Sequence, residues 1–350
     1  PVFLSSLSRH GSRTASAESK YLAPQEYMLE AAAADALTEE GKSVLAWSEE
    51  LYQWVNDHRL AWGGLTGIGR QEHHSLGART FDRFPNLFRR GQVQVDSTDV
   101  QRTQDSRDMF ISGMVAQGAN QSNFVINDPP SCDASENDSM LDYALLRFFD
   151  VCPAYLTYRD HSPLQTQYDM VAVKYATEPI EDIHSRLFDP QFVTTKTPEE
   201  QAAFVSGLYG YSCGTQVDSQ LEYSKICSSI NEGNGIALSY VSDLAEYIEK
   251  GPVNSYPIVT DMSCLLLDTM RSDIMKAGTS LNVPLNSMSA HLRFAHAETV
   301  IPVLSALGLL TEDPFLYVTG GDYTQREFNL HYQSPMATNV MLAVYDCKDE

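Results

Sequence analysis

Residues 9–14 read Arg-His-Gly-Ser-Arg-Thr and directly follow a short apolar stretch, Val-Phe-Leu, at residues 2–4. The apolar stretch predicts a strand, so the imidazole of His10 lies at a strand end between the guanidinium groups of Arg9 and Arg13. Arginine offers a planar fork of donors that fits phosphoryl oxygens, and a histidine with an unprotonated ring nitrogen can attack phosphorus. The stretch predicts a phosphate site with its own nucleophile, although an exposed polar turn could hold the same residues.

A second polar group lies late in the chain. Residues 296–299 read His-Ala-Glu-Thr, between a short apolar stretch and the longer apolar run 300–310. This order predicts a strand, a turn and a helix, with Thr299 as the helix N-cap. The free amides of the helix start would face the same side as His296 and Glu298, which suits a phosphate and its departing oxygen. The alternative is a capped core helix with two incidental polar residues.

A third polar stretch, residues 97–106, reads Ser-Thr-Asp-Val-Gln-Arg-Thr-Gln-Asp-Ser after an alternating run at 93–96. The alternation predicts a strand and places Arg102 at another junction between a strand and a helix. Taken alone, Arg102 is typical of a surface residue, because arginine is mostly exposed. Its interest comes from the combination with the other two motifs.

Together the three motifs resemble those of the histidine acid phosphatases. Most of that superfamily has His-Asp at the late site, whereas His-Ala-Glu is similar to the multiple inositol polyphosphate phosphatases, which include phytases. Leu-Thr at 65–66, with Gly69 and Glu72, resembles the family's Leu-Thr-x-x-Gly helix, and residues 334–347 resemble its terminal strand. The chain departs from the pattern near Thr14, where the family has proline, and at Met336, where it has phenylalanine.

The resemblance implies an α/β fold, namely a mixed-sheet histidine phosphatase fold with an inserted, mostly helical cap domain. We place the catalytic domain at residues 1–126 and 252–350 and the cap at 127–251. The implied activity is hydrolysis of inositol polyphosphates, above all phytate, without a cofactor or metal. A phosphohistidine would form on His10, and Glu298 would be the proton donor. The residues implied to hold the phosphate, all as cations, are Arg9, Arg13, Arg102 and His296.

Two other functions stay open. A phosphatase of the same superfamily that acts on bisphosphoglycerate or on simple phosphomonoesters would need the same chemical residues. A non-catalytic anion-binding surface module is disfavoured, because the nucleophile, the proton donor and three arginines are all present. Adjacent helix residues point apart, so we expect His73 and His74 to be surface residues and not joint metal ligands. The candidates for cap contacts with substrate, or plain surface charges, are Arg147, Arg159, Lys174 and Arg186.

Composition agrees with this interpretation. The chain has 350 residues, of which 43% are hydrophobic, enough for one large core and a smaller second one. The net charge of −22 disfavours nucleic acid and anionic membranes as partners, whereas ten of the sixteen arginines lie in the first 110 residues and can focus a positive potential in one cleft. No apolar run approaches the roughly twenty residues of a membrane span. We expect a polyphosphorylated small molecule as the partner, and a monomer.

Six cysteines are spaced too widely for Cys-x-x-Cys metal ligation. Their even number favours disulfides and an extracytoplasmic location, with Cys213 and Cys227 the best candidate pair. Buried free thiols in a cytosolic enzyme are the alternative. The chain starts at a strand without Met or a signal peptide, which suggests a trimmed mature form. The apolar patterns predict strands over residues 2–8, 92–96, 285–294, 315–318 and 340–345, and helices around 141–149, 202–208 and 244–248.

Overall fold

The computed structural model describes residues 1–57, 61–127, 143–213, 224–279, 288–311 and 329–347. The strands are β1 (Phe3–Arg9), β2 (Gln92–Ser97), β3 (Phe124–Asn127), β4 (Met288–Ala295) and β5 (Asn339–Val344). The helices are α1 (Ser19–Ala33), α2 (Glu39–Asp57), α3 (Gly67–Arg83), α4 (Pro85–Arg90), α5 (Gln101–Ala116), α6 (Phe148–Val151), α7 (Pro153–Asp160), α8 (Gln165–Leu187), α9 (Pro190–Val193), α10 (Pro198–Ser212), α11 (Ser224–Ser228), α12 (Glu232–Lys250), α13 (Ile258–Asp261), α14 (Cys264–Thr279), α15 (Ala297–Ala306) and α16 (Leu330–Gln333).

The five strands form one mixed sheet in the order β3-β2-β4-β1-β5. Strands β1 to β4 run parallel to their neighbours, and β5 lies antiparallel to β1 at the edge. This arrangement confirms the α/β prediction and four of the five predicted strands. The fifth, at 315–318, lies outside the described residues, as do residues 285–287 at the start of the predicted fourth strand. Strand β3 was not predicted, because its four residues carry too short a pattern.

Helices cover both faces of the sheet, and the alternation of side chains along the strands explains why both faces are apolar. On one face, α3, α4 and α5 pack over the sheet; on the other, α14 and α15 do. The first face buries Phe81, Phe88, Phe110, Met114, Ala290, Leu292 and Phe294. The second buries Leu7, Leu266, Met270, Ala295, Val300 and Val303.

Every element that the structure describes between residues 143 and 250 is a helix. Helices α8 and α10 share a hydrophobic cluster with α1 and α2, so part of the N-terminal segment packs with these helices. A disulfide joins Cys213 to Cys227 and confirms the predicted pair. The predicted domain boundaries stay a prediction. None of the described helices combines the length and the apolar character that crossing a bilayer requires.

Helices α3 and α5 approach each other closely at two glycines. A Cβ at Gly77 would overlap the carbonyl oxygen of Phe110, and one at Gly113 would overlap that of His74. The contact is relevant to function, because α3 carries Glu72 and α5 begins one residue before Arg102. The glycines thus set the distance between two helices that reach the end of the sheet.

We expect Gly77→Ala to lower the free energy of unfolding by at least about 1–3 kcal/mol, because the added methyl group must push two packed backbones apart. Urea unfolding followed by circular dichroism measures the change. Gly235→Ala is the matched control, since a Cβ there meets no atom within 4 Å. That control should stabilise the protein by about 0.5–1 kcal/mol through its better helix propensity. Equal unfolding midpoints for the two variants would contradict the close contact.

Candidate active site

The carboxyl ends of β1, β2 and β4 meet at one edge of the sheet because the three strands are parallel. His10 follows β1 and His296 follows β4, and their ring centroids lie 5.6 Å apart. The backbone N–H of His10 donates to the carbonyl oxygen of Ala295 at 3.0 Å, which ties the two strand ends together. The sheet topology therefore unites motifs that lie almost 300 residues apart.

One ring nitrogen of His10 is free to act as a nucleophile. The Nδ1 atom lies 2.9 Å from the carbonyl oxygen of Gly11, and since a carbonyl only accepts, Nδ1 carries the proton and Nε2 has a lone pair. Burial lowers the pKa of His10 well below its usual 6.5, and the charges of Arg102 and Arg9 lower it further. The low pKa favours the neutral form of His10, whose Nε2 lone pair is then available.

Three arginines of the predicted site lack acidic partners. Among the residues that the structure describes, no ion pair includes Arg9, Arg13 or Arg102. The Nε atom of each is buried without a hydrogen-bond partner. Burial lowers the pKa of Arg102 to about 10, so its guanidinium stays charged at neutral pH. One buried and two half-buried guanidinium groups that form no ion pair make a site that suits an anion.

His296 is held in one neutral form. Nη2 of Arg102 lies 3.2 Å from Nδ1 of His296, and a guanidinium only donates, so Nδ1 accepts. Nε2 then donates to the hydroxyl of Thr98 at 3.0 Å, and that hydroxyl lies 2.7 Å from the hydroxyl of Thr103. Burial and the charge of Arg102 lower the pKa of His296 to about 3. The prediction that His296 is a cation is therefore wrong for the free site.

Helix α15 begins at Ala297, with His296 as its N-cap. The prediction that Thr299 is the N-cap is wrong: its hydroxyl donates to the carbonyl oxygen of Leu146 at 2.7 Å and thereby holds α15 to the segment before α6. Because the helix starts three residues earlier than predicted, Glu298 lies in its first turn.

Glu298 is paired with a lysine that the sequence analysis did not single out. Nζ of Lys250 donates to Oε1 of Glu298 at 3.1 Å, and the Glu298 side chain is 33% exposed. Burial raises the pKa of the Glu298 carboxyl, but the charge of Lys250 and hydrogen bonds to the carboxylate outweigh burial and lower the pKa to about 2. Glu298 is thus ionised in the free site. A lysine at the end of a helix carries no sequence signal that could have identified it.

Helix α3 fixes the backbone on both sides of His10. Oε2 of Glu72 accepts from the backbone N–H of Ser12 at 2.8 Å, and Oε1 accepts from the Ser12 hydroxyl at 2.9 Å. A Cβ at Gly11 would come within 2.6 Å of the Gly69 carbonyl oxygen, so glycine is needed for the close approach of loop and helix. His73 is fully buried, and its Nε2 donates to the Arg9 carbonyl oxygen at 3.1 Å. The prediction of a surface histidine is therefore wrong at position 73.

Of the four candidate cap cations, Arg147 lies closest to the site. It pairs with Asp99 at 3.1 Å and with Asp150 at 2.6 Å, and its charge contributes to the low pKa of His296. Arg159 and Arg186 form ion pairs with neighbouring acidic side chains. Nζ of Lys174 lies over the ring of Tyr175.

A cleft of roughly 730 Å³ opens beside Arg13 and is also lined by Lys20 and Glu246. Its volume lies within the usual range for small-molecule sites. Within the described ranges, no group of three or more His, Cys, Asp or Glu side chains could hold a metal ion.

Comparison with known proteins identifies the family. The family model described as the histidine phosphatase superfamily (branch 2) matches residues 2–350. The chain is 24% identical over 364 residues to multiple inositol polyphosphate phosphatase 1 of Homo sapiens, an alignment that covers 100% of this chain and 71% of the human protein.

The fold is similar to that of a multiple inositol polyphosphate phosphatase from Bifidobacterium longum. Its crystal structures in complex with inositol hexasulfate and with phosphate give TM-scores of 0.73 and 0.77 at 19% and 20% identity, covering 97% of this chain and 81% of that protein. These likenesses confirm the predicted histidine phosphatase fold. Because the family model spans almost the whole chain, this protein belongs to the histidine phosphatase superfamily, branch 2.

Proposed function

We propose that this enzyme removes phosphate from inositol polyphosphates, phytate above all, through a phosphohistidine. The observation that carries the proposal is the unprotonated Nε2 of His10 close to one buried and two half-buried arginines, none of which forms an ion pair among the described residues. Such an arrangement combines a nucleophile with fixed positive charge, which phosphoryl-transfer catalysis needs most. Loss of an arginine from this cluster would leave the nucleophile but weaken the binding of phosphate.

In the first half-reaction, Nε2 of His10 attacks phosphorus in line. The N–P bond forms, and the bond between phosphorus and the ester oxygen of inositol breaks. Arg9, Arg13 and Arg102 hold the phosphoryl oxygens, and His296 lies beside them. The leaving alkoxide takes a proton from Glu298, which must therefore gain this proton when substrate binds. The negative charge of a polyphosphate raises the pKa of a nearby carboxyl group and so favours this uptake.

In the second half-reaction, water attacks the phosphohistidine, the new O–P bond forms and the N–P bond breaks. Glu298, now a carboxylate, takes one proton from the water. Glu298 thus acts as the acid in the first half-reaction and as the base in the second, as expected when one site catalyses both directions of proton transfer. Guanidinium groups supply the positive charge in both steps, and the proposed mechanism therefore includes no metal ion.

The substrate class has separate support. The relatives compared above are named multiple inositol polyphosphate phosphatases, and one of their crystal structures is a complex with inositol hexasulfate, an inositol ring that carries six anionic ester groups. In this chain, the cleft beside Arg13 has room for a ring with several phosphates and presents Lys20 to them. A simple phosphomonoester would use only the phosphate pocket itself.

We expect kcat/KM for phytate to exceed that for p-nitrophenyl phosphate and for bisphosphoglycerate by at least about tenfold, equal to about 1.4 kcal/mol of additional binding in the transition state. Phosphate release at acidic pH, with separation of the inositol phosphates formed over time, measures both rate and order of attack. A preference for bisphosphoglycerate would instead favour the alternative considered above, a phosphatase of the same superfamily that acts on bisphosphoglycerate.

We further propose that residues 127–251 act as a cap over the phosphate pocket. We also propose that the protein works outside the cytoplasm and that it is a monomer. The exclusively helical elements described from 143 to 250 support a cap. The disulfide between Cys213 and Cys227 supports an oxidising compartment. Sedimentation velocity tests the monomer, and loss of thermal stability in reductant tests the contribution of the disulfide.

A further inference from the structure

The geometry points to Lys250 as a positioning residue that keeps Glu298 ionised, so that Glu298 can serve as the base for hydrolysis of the phosphohistidine at acidic pH. This inference rests on the proposed function and assigns a role to a residue outside the three motifs. It concerns the second half-reaction, in which Glu298 must be a carboxylate before it can accept a proton from water.

The contacts of Lys250 are those of a fixed internal cation. Its side chain is only 3% exposed, and Nζ lies 3.1 Å from Glu298, 2.7 Å from Glu246 and 3.9 Å from Glu249. Lys250 is the last residue of α12. The face of α12 that carries it packs into a hydrophobic cluster that also contains residues from the start of α15. Because Lys250 is buried at a helix end, its ammonium cannot swing far from the Glu298 carboxylate.

The charges around this pair have opposite effects on Glu298. Glu249 on α12 favours its protonated form, whereas Lys250 favours its ionised form. Arginines at the phosphate pocket also favour the ionised form, but none of those in the described residues forms an ion pair with Glu298. The titratable and charged groups that interact with Glu298 or with its partner Lys250 are Arg9, Arg13, Arg102, Tyr155, Glu246, Glu249 and His296.

Removal of the Lys250 charge would leave Glu298 and two neighbouring carboxylates without their shared cation. A carboxyl group that loses an adjacent cation has a pKa higher by about 1–3 units. Glu298 would then be protonated at pH values where the wild-type side chain is ionised. Water attack on the phosphohistidine would slow as the pH falls through this raised pKa, whereas formation of the phosphohistidine from an activated ester would not.

The test uses p-nitrophenyl phosphate, because its leaving group needs no proton and the steady-state rate can report the second half-reaction. We expect the acid limb of kcat for Lys250→Met to lie about 1–3 pH units higher than in the wild type. The burst of p-nitrophenolate should persist, and rapid denaturation in alkali during turnover at low pH should show more phosphohistidine than in the wild type. Lys250→Arg keeps the charge and should restore the wild-type profile.

A double variant, Lys250→Gln with Glu246→Gln, removes one charge of each sign and covers the case in which Lys250→Met does not fold. Its acid limb should also move upward, because Lys250 contacts Glu298 directly. An unchanged acid limb in the folded variants, or a higher KM with an unchanged pH profile, would overturn the role of Lys250. Failure of the proposed function is a different result: the wild-type enzyme itself would show neither a burst nor a phosphohistidine.

Discussion

Replacement of His10 by alanine is expected to reduce phosphate release by more than about 10⁴-fold, because the only nucleophile proposed for the reaction is removed. Folding and binding of phosphate should be largely retained, since the arginines and the hydrogen bond from residue 10 N–H to Ala295 do not depend on the imidazole. Phosphate release from phytate and isothermal titration with inorganic phosphate measure the two properties.

Covalent trapping makes this prediction more specific. Rapid denaturation of the wild-type enzyme during turnover of labelled substrate should leave phosphate on the peptide that contains His10, and His10→Ala should carry none. His161→Ala is the control for loss of a histidine, because His161 is exposed at the end of α7. Label on Ser12, or substantial turnover by His10→Ala, would refute the nucleophile assignment.

The second large effect is expected from Glu298→Gln. This variant keeps the shape of the side chain but cannot supply a proton to an alkoxide, so phosphorylation of His10 by phytate should slow by about 10²–10⁴-fold. With p-nitrophenyl phosphate the same step should slow by less than about tenfold, because p-nitrophenolate leaves without a proton. Rapid-mixing measurement of the first turnover separates this step from hydrolysis of the intermediate.

Steady-state rates would conceal the difference, since Glu298 also acts in the second half-reaction. Glu181→Gln, at an exposed position of α8, controls for the chemical change itself. An equal loss of the burst rate on both substrates would mean that Glu298 positions phosphate and is not the donor.

Much of the fold followed from patterns near the catalytic motifs. The strands β1, β2, β4 and β5 were predicted within a few residues, because their runs of apolar or alternating residues are buried in the sheet. Strand β3 and the short helices α9 and α13 were beyond prediction, since four residues do not establish a period. The start of α15 was misplaced because a threonine near a helix start can bond to a distant carbonyl as well as cap its own helix.

The sequence by itself determined the motifs to which we assign the chemistry: a histidine between two arginines, a later Arg102, and the His-Ala-Glu motif. These signals are local, because each motif follows one strand. Only the tertiary structure decided the protonation state of these groups. The proton on Nδ1 of His10, the neutral ring of His296 and the ionised Glu298 depend on burial and on contacts between residues far apart in the chain, such as Lys250 and Glu298, which are 48 residues apart. Such charges interact through space, and a linear pattern does not contain the distances that set their free energies.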